Sequence, residues 1–332
     1  MVGTQCLFLH SCVCAQKSAV NLALNSLAVD SLLVYLGFVL VLAGLVSLIR
    51  PMRFLYIRTR LAAVIVIAAG ACLEFVAGGM VDSFLVYLGL PLCLAGFASL
   101  LRPLRFLEIR TRWIAAMVAG GGLLLVLVAL LLPVSENAVT AHTARLDDWM
   151  PRWQFRERHI IAIAAPPEKV FAAIHAVRAD DIFLFRTLIG IRRCGQTGPE
   201  SIMNAPEQKA ILDVATQTSF VLLTEEPPHE LVIGTVAAAP PQGSASGRLT
   251  PELFQKELPP GVALATMNFL VAPDDRGGSI VSTETRIYAN NAATARRFAI
   301  YWRVIHPGSD IIRRMWLRAI KQRAEGQVQN RG

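Results

Sequence analysis

The stretch SLIRPMRFLYIRTR, residues 47–60, recurs as SLLRPLRFLEIRTR at residues 99–112. Around these two arginine segments, residues 30–60 and 82–112 align without gaps at an offset of 52, and 22 of the 31 positions are identical. An apolar run precedes each arginine segment and a second one follows it. The first half of the chain therefore consists of two copies of one unit, in which basic residues join two apolar segments.

The repeat predicts four membrane-spanning helices, at residues 31–49, 61–81, 83–101 and 113–133. Each is about 20 residues long, and an α-helix of that length crosses the ~30 Å hydrocarbon core of a bilayer. A core helix of a soluble protein usually keeps a polar stripe, which segments 31–49 and 113–133 lack. Glu74 lies within a predicted span and raises the hypothesis of a functional carboxylate. The second copy has Val126 at the matching position, which favours a structural role instead.

The eight arginines of the two arginine segments predict the topology of the chain. Arginine near the end of a membrane helix resists translocation, so we expect a multipass protein of the cell membrane with these segments in the cytoplasm. The C-terminal half would then lie on the outer face. The segments could also bind anionic lipid head groups; the alternative is that they only anchor the turns. The residues concerned are Arg50, Arg53, Arg58, Arg60, Arg102, Arg105, Arg110 and Arg112.

Composition separates the two halves and excludes some classes of function. Only 17% of the residues are charged and 54% are apolar, and the net charge is +8. Most of that excess belongs to the arginine segments, and the C-terminal half lacks a basic patch with interleaved aromatics, so we expect no nucleic-acid binding. Residues 1–29 have no basic stretch ahead of their apolar run, so we interpret them as an N-terminal extension and not as a signal peptide.

The C-terminal half alternates between strand and helix patterns. After a linker at 134–158, strands are predicted at 159–165, 219–226, 229–237, 262–272 and 279–289. Pro166-Pro167-Glu168 starts a helix, and residues 239–261 form a loop with one helical turn. A long amphipathic helix closes the chain before a tail at 326–332, and Pro307-Gly308 should kink or break it, with Ser309 capping the second part.

This order of elements resembles the START-related helix-grip superfamily (SRPBCC, polyketide cyclase-like) over residues 159–325. The resemblance rests on APPEKVFAAIHAV (165–177), MNFLVAP (267–273), STETRIYA (282–289) and YWRVIHPGSDIIRRMWLRAI (301–320). It implies an α+β helix-grip domain in which an antiparallel sheet surrounds a long C-terminal helix and an apolar cavity. A duplicated transmembrane hairpin before such a domain is similar to the arrangement in uncharacterised bacterial membrane proteins.

Because members of this superfamily bind lipids, sterols or polyketides, the resemblance implies non-catalytic binding of a lipid or another hydrophobic small molecule. One alternative is an enzyme of the cyclase or dehydratase type, and another is a scaffold with a filled cavity. Glu284 and Arg286 share one face of the last strand, and either orient a ligand in the cavity or lie outside it. The candidate cavity residues are Phe220, Leu222, Met267, Phe269, Glu284, Arg286, Tyr301, Trp302 and Ile305.

No catalytic residue, metal site or cofactor is predicted. Asp180 and Asp181 could act as acid and base, but two acidic residues at a helix N-terminus are equally well placed to interact with the helix dipole. The histidines of the C-terminal half lie far apart in sequence, without the spacing of metal ligands. We expect membrane lipids and a hydrophobic small molecule as partners, and the sequence does not identify a protein partner.

Overall fold

The computed structural model describes residues 60–77, 81–102, 109, 111–192, 201–239, 250–256 and 260–326, with a few isolated positions between 36 and 47. The chain divides into two compact units, residues 1–132 and 133–332. The predicted first span, 31–49, lies largely outside the described residues, as do most positions of both arginine segments.

The described helices of the first unit are α1 (Arg60–Ala77), α2 (Val81–Leu101) and α3 (Arg112–Leu131). Of these, α2 and α3 are long and apolar enough to cross a membrane. The apolar part of α1, Ala62–Leu73, is shorter; at 1.5 Å per residue it covers about 18 Å, because Arg60 begins the helix and Glu74 interrupts the apolar run. The described structure thus contains two candidate spans where the sequence predicted four.

The α2–α3 hairpin has small residues inside and large apolar residues outside. A Cβ atom added to Gly89 would stand 2.7 Å from the carbonyl oxygen of Gly122, so the two backbones touch. Leu94 and Phe97 on α2 and Met117 on α3 are each more than half exposed. Helices in lipid gain nothing by hiding large apolar side chains and approach one another through small ones. The buried residues are Ser83, Gly89, Gly96, Ser99, Ala115, Ala119, Gly122 and Ala129.

The second unit is built on a five-stranded antiparallel sheet in the order β3-β7-β6-β5-β4. The predicted strands are confirmed, most of them within one or two residues, although β3 begins four residues earlier than expected. The strands of the unit are β1 (Asn137–Ala138), β2 (Arg152–Trp153), β3 (Phe155–Ile163), β4 (Val221–Glu226), β5 (Glu230–Ala238), β6 (Ala263–Pro273) and β7 (Ser279–Ala289).

Helices cover one face of the sheet. They are α5 (Pro167–Ala176), α6 (Phe185–Arg192), α7 (Ile211–Thr218) and α8 (Ala292–Ala324). The short helix α4 (Leu146–Trp149) lies on the opposite face. The side chain of Asn291 caps α8 by accepting a hydrogen bond from the Thr294 amide at 2.8 Å. The closing helix of the prediction is thereby confirmed.

The predicted break at Pro307 is wrong, because α8 runs through Pro307 as one helix of 33 residues. Proline removes one backbone hydrogen bond, but α8 is packed on the sheet on both sides of this point, through Trp302 in one half and Trp316 in the other. Ser309 does not cap a second helix. Its hydroxyl donates instead to Glu157 on β3, at 2.8 Å.

Strand alternation gives the sheet two different faces. The face toward α8 carries Val281 and Ile287 of β7, which belong to two separate apolar clusters. The larger cluster contains Trp316 and Phe269, and the smaller one contains Phe155, Phe298 and Trp302. These two clusters form the core between the sheet and α8.

Residues 134–154, predicted as part of a linker, belong to the folded unit. β1 pairs with β2, and α4 packs on the face of the sheet opposite α8, where Leu146 joins Val232 in a small apolar cluster. Met150 packs beside Leu264 on the same face. The sheet is therefore covered on both sides.

Candidate functional site

Four ionisable side chains meet between β3 and α8, in what we call the buried polar cluster: Glu157, His159, His306 and Asp310. Glu157 and His159 are two residues apart on a strand, so their side chains point to the same face. His306 and Asp310 are four residues apart on a helix and lie one turn apart on one side. Each of the four is less than a tenth exposed.

The atoms of the buried polar cluster lie close together. Glu157 Oε1 and His159 Nε2 are 2.9 Å apart, within hydrogen-bonding distance. The same nitrogen lies 3.4 Å from Asp310 Oδ1. His306 Nε2 lies 3.9 Å from the other carboxylate oxygen of Glu157, Oε2. The four groups thus form one continuous set of nitrogen and oxygen atoms.

Neighbouring residues fix the two carboxylates of the cluster. The Ser309 hydroxyl donates to Glu157 Oε2, and the guanidinium group of Arg314 donates to both oxygens of Asp310 at 2.8 and 3.2 Å. Arg314 follows Asp310 by four residues on α8, where side chains one turn apart are neighbours. Both carboxylates are therefore oriented before any ligand is present.

The electrostatic environment keeps Glu157 ionised. Burial raises the pKa of the Glu157 carboxyl, but the hydrogen bond with His159 and the charges of Arg313, His159 and His306 lower it by more. The pKa of Glu157 is therefore below its ordinary value. Burial lowers the pKa of Arg313, with the charge of Glu157 opposing that shift. A buried negative charge thus lies between β3 and α8.

Aromatic side chains border the cluster at both ends. Trp302 stacks on the His306 ring with the ring centroids 4.4 Å apart, and it also packs against Phe155 at 5.9 Å. At the other end the Phe269 and Trp316 centroids are 5.2 Å apart. The interior between the sheet and α8 is therefore apolar, then polar, then apolar along the axis of α8.

The buried polar atoms that have no hydrogen-bond partner among the described residues include Thr283 Oγ1 on β7 and Trp316 Nε1 on α8. Thr283 is 2% exposed and pairs directly with His159 across the β3–β7 ladder. Buried hydroxyl and indole groups are normally hydrogen-bonded, and an orphaned one indicates a water or ligand atom beside it. The orphaned hydroxyl lies next to the buried polar cluster.

The cluster can perform two kinds of chemistry. An ionised carboxylate paired with an imidazole can take up and release a proton, which is what general acid–base catalysis requires. Imidazole nitrogens and carboxylate oxygens are also ligands of divalent metal ions. One ligand atom each from Glu157, His159 and Asp310 lies within 4.8 Å of the others, a grouping found by searching the described residues.

Most of the predicted cavity residues lie on the face of the sheet toward α8. Met267 and Phe269 are buried there in the larger apolar cluster, and Trp302 is buried on α8 in the smaller one. Phe220 and Ile305 are half-buried at the edges of the two apolar clusters. Leu222, on the edge strand β4, is 39% exposed, and Tyr301 is 37% exposed and packs edge-on against the Phe298 ring.

Glu284 and Arg286 lie on the opposite face of the sheet, so a ligand between the sheet and α8 would not contact them. Strand alternation places them on the same face as Ser282 and Tyr288, as expected. The face toward α8 carries the alternate residues of β7, such as Val281 and Ile287. Both are nonetheless buried, at 6% exposure each, because residues 134–154 cover them. Their proposed role as ligand-orienting groups in the cavity is corrected for this reason.

An ion-pair network holds the segment 134–154 on this outer face. Glu284 accepts two hydrogen bonds from Arg156 at 2.9 Å and one from Arg286 at 2.6 Å. Arg286 in turn pairs with Asp147 at 2.8 Å. Hydrogen bonds to Arg156 and the charges of both arginines lower the pKa of Glu284, outweighing the raising effect of burial, which is the largest single contribution.

A second network joins the same segment to the middle of the sheet. Glu230 accepts from the backbone amides of Arg145 and Leu146, at 2.7 and 3.2 Å. Asn268 donates to Glu230 at 2.6 Å, and its carbonyl accepts from the Glu284 amide at 3.0 Å. The outer face is thus extensively hydrogen-bonded, although the buried hydroxyl of Thr266, beside Arg286, has no partner among the described residues. Such a layer suits a structural role.

The other sequence candidates have structural partners. Asp180 pairs with Arg186, and Asp181 caps the short 3-10 helix through the Arg178 amide and pairs with Arg323. Their positions in the 3-10 helix Ala179–Asp181 fit the interpretation that the two acidic residues stabilise the start of a helix. His175 is half-buried near Glu225, at 3.1 Å.

Sequence reasoning missed the buried polar cluster. His159 and His306 were judged too distant in sequence to act together, and Glu157 fell before the predicted start of β3. Two local signals were available. Glu157 and His159 have the two-residue spacing of one strand face, and His306 and Asp310 have the four-residue spacing of one helix face.

Of the arginine segments, Arg60, Arg102 and Arg112 lie in the described part of the chain, at or beside the ends of α1, α2 and α3. Thr111 caps α3 by accepting from the Ile114 amide, so the second segment ends where a helix begins. The remaining predicted head-group residues lie outside the described residues: Arg50, Arg53, Arg58, Arg105 and Arg110.

No protein-family model matches the chain, and no curated protein is found to be similar to it.

Proposed function

We propose that this chain is a membrane-anchored helix-grip protein that binds a lipid or another hydrophobic small molecule between the sheet and α8, without catalysis. In this proposal the apolar part of the ligand lies against side chains such as Phe269 and Met267. Its polar end meets the buried polar cluster and Thr283. The resemblance to the START-related superfamily, which the sequence suggested, is part of the same proposal.

The unpartnered hydroxyl of Thr283 carries this proposal. It lies on the face of the sheet toward α8, next to His159, in a layer with apolar residues on both sides. Small-molecule sites are mostly apolar, with a few polar groups that fix the orientation of the ligand. A ligand with one polar end would satisfy Thr283 and bury apolar area, which contributes about 25 cal/mol per Å².

The α2–α3 hairpin supports the membrane part of the proposal. Two helices of spanning length that expose large side chains and bury glycine and alanine are compatible with a lipid environment. By extension of the sequence repeat, we propose two such hairpins, with the arginine segments in the cytoplasm and the C-terminal unit on the outer face.

Photo-cross-linking tests ligand binding. The full-length protein, in detergent or nanodiscs, would be irradiated with a fatty acid that carries a diazirine on its chain, and the modified peptides would be identified by mass spectrometry. We expect adducts on peptides that contain Met267, Phe269 or Ile305, in addition to those on α2 and α3. Adducts confined to residues 60–131 would contradict ligand binding and would favour a scaffold with a filled interior.

Cysteine labelling tests the topology. Arg276 is exposed in the turn between β6 and β7, so Arg276→Cys, in a background without the native cysteines, provides one reactive site. We expect a membrane-impermeant maleimide to label it in intact cells. Labelling only after lysis would place the C-terminal unit in the cytoplasm and reverse the proposed orientation.

The Glu157–His159 pair favours a second candidate function, an enzyme of the dehydratase type. A buried carboxylate within hydrogen-bonding distance of an imidazole can move a proton. Such an enzyme would release water from a bound hydroxylated substrate. The molecule retained by Glu157→Gln would then be heavier by one water than the molecule retained by the wild-type protein. Identical masses in native mass spectrometry would leave non-catalytic binding as the better account.

A further inference from the structure

The buried polar cluster has the donors and spacing of a metal site. Around an ion with ligand distances of about 2.1 Å, neighbouring ligand atoms are about 3.0–3.4 Å apart. His159 Nε2 lies 2.9 Å from Glu157 Oε1 and 3.4 Å from Asp310 Oδ1. Small side-chain adjustments would open this set around one ion. His306 Nε2, 3.9 Å from Glu157 Oε2, supplies a fourth donor.

The donors come from two rigid elements. Glu157 and His159 lie within β3, which is paired along its length with β7, and His306 and Asp310 lie within α8. The cluster therefore links two elements that are distant in sequence. Sites on strands and helices hold their ligands more accurately than sites on loops.

Hydrogen bonds from outside the cluster orient its carboxylates in the way that metal-binding carboxylates are usually supported. Ser309 donates to Glu157, and Arg314 donates to Asp310. The nearby guanidinium of Arg313 contributes positive charge beside Glu157, but its described contacts are with other groups. It contacts the sulfur of Met267 and lies over the Trp316 ring, at 5.4 Å from the ring centroid.

We propose that Glu157, His159, Asp310 and His306 bind one divalent transition-metal ion between β3 and α8. Two imidazole nitrogens and two carboxylate oxygens, without a thiolate, suit zinc and its first-row neighbours better than calcium or magnesium, which prefer oxygen ligands alone. The ion would neutralise the two buried carboxylates and join the strand to the helix. This inference does not depend on the proposed lipid ligand, because the protein can bind metal in the absence of any lipid.

Zinc retention by the full-length protein tests the proposal. The protein would be purified in detergent without a histidine tag, stripped with a chelator, dialysed against Zn²⁺ and then against buffer. We expect inductively coupled plasma mass spectrometry to find one zinc per chain in the wild type. His159→Gln and Asp310→Asn should weaken zinc binding by at least about 100-fold, and Ser309→Ala by about 10–100-fold.

His175→Gln is the matched control. His175 also faces a carboxylate, Glu225, at 3.1 Å, but it is half-buried and outside the cluster. Zinc affinity should not change in this variant. Retention of less than one zinc by the wild type, or equal affinity in His159→Gln and wild type, would overturn the proposal.

A measurement on the wild-type protein tests the zinc site without requiring that any variant folds. X-ray absorption of the zinc-loaded protein should show two imidazole ligands and no sulfur ligand. Sulfur scattering would place the ion on the cysteines of the chain and overturn the assignment to the buried polar cluster.

Discussion

The carboxylate of Asp147 lies 2.8 Å from the guanidinium of Arg286, and both side chains are almost completely buried. Arg286 also donates to the Met150 carbonyl at 3.0 Å, and its guanidinium lies 4.2 Å from the centroid of the Trp153 ring. Residues 134–154 form the covering segment on this face. Its helix α4, its strand β2 and Met150 between them thus all contact one arginine in the middle of β7. Arg286 is therefore the buried cation on which several contacts of the covering segment converge, beside the separate contacts of that segment with Glu230.

Removal of the carboxylate should destabilise the C-terminal unit. Asp147→Asn leaves Arg286 buried with fewer negative partners, and loss of one member of a buried ion pair costs about 3–5 kcal/mol. We expect the lower end of that range, because Glu284 still contacts Arg286. Denaturant unfolding of the full-length protein in detergent, followed by tryptophan fluorescence, measures this loss.

Glu136→Gln provides the control for that variant. Glu136 pairs with Arg152 at 3.3 Å, but both side chains are more than 40% exposed. An exposed ion pair contributes at most about 1 kcal/mol. Equal losses in the two variants would show that burial of the Asp147–Arg286 pair does not matter.

The stability of the outer network should depend on pH. The pKa of Glu284 is lowered in the folded protein from an ordinary value of 4.5. Because the folded state then binds fewer protons than the unfolded state, the stabilisation is fully present above about pH 4.5 and is lost as the pH falls through the lower folded-state value. Denaturant unfolding between pH 7 and pH 3 should show this loss, and Glu284→Gln should flatten the profile. An unchanged slope in the variant would assign the acid sensitivity to other groups.

The hairpin of the first unit should be sensitive to one glycine and tolerant of its neighbour. A Cβ atom at Gly122 would collide with the backbone of Cys93, whereas a Cβ atom at Gly121 meets nothing within 4 Å. Gly122→Leu should therefore force α2 and α3 apart and cost about 1–3 kcal/mol, and Gly121→Leu should be close to neutral. Thermal unfolding in detergent compares the two. If both variants lose stability equally, close contact between α2 and α3 is not what stabilises the hairpin.

Replacement of Gly308 should stabilise the protein. Gly308 lies within α8, and a Cβ atom there meets no heavy atom within 4 Å. Glycine in a helix costs about 0.5–1 kcal/mol relative to alanine, so Gly308→Ala should gain about that amount. Gly234→Ala should do the opposite, since its Cβ atom would lie 2.5 Å from the Phe254 ring. A loss of stability in Gly308→Ala would show that the flexibility of α8 at this point is required by the fold.

Local patterns predicted the strands and helices of the second unit but not that both faces of the sheet are covered. Alternation correctly separated Glu284 and Arg286 from Thr283 and Thr285. The set with Val281 and Ile287 is the one that faces α8. Alternation did not predict that Glu284 and Arg286 are also buried, because residues 134–154 cover the other face. A charged pair under such a cover has the same sequence pattern as a charged pair in a ligand site.

Local sequence patterns could not predict the buried polar cluster, for a different reason. Its two pairs are close only after β3 and α8 have packed together, and nothing in the sequence near Glu157 points to Asp310. Periodicity can place two residues on one face of one element. Contact between elements follows from the tertiary fold, which requires either a structure or the comparison of many related sequences.

The buried polar cluster also affects how α8 is aligned on the sheet. The two halves of α8 present similar apolar surfaces, each centred on a tryptophan, Trp302 or Trp316, with phenylalanine beside it. Such a helix could slide by one turn, about 5.4 Å, and still bury aromatic rings. That movement would carry His306 and Asp310 away from Glu157 and press them against apolar side chains, where an unpaired charge is strongly unfavourable. The polar residues in the middle of an apolar interface thus fix the position of α8 along the sheet.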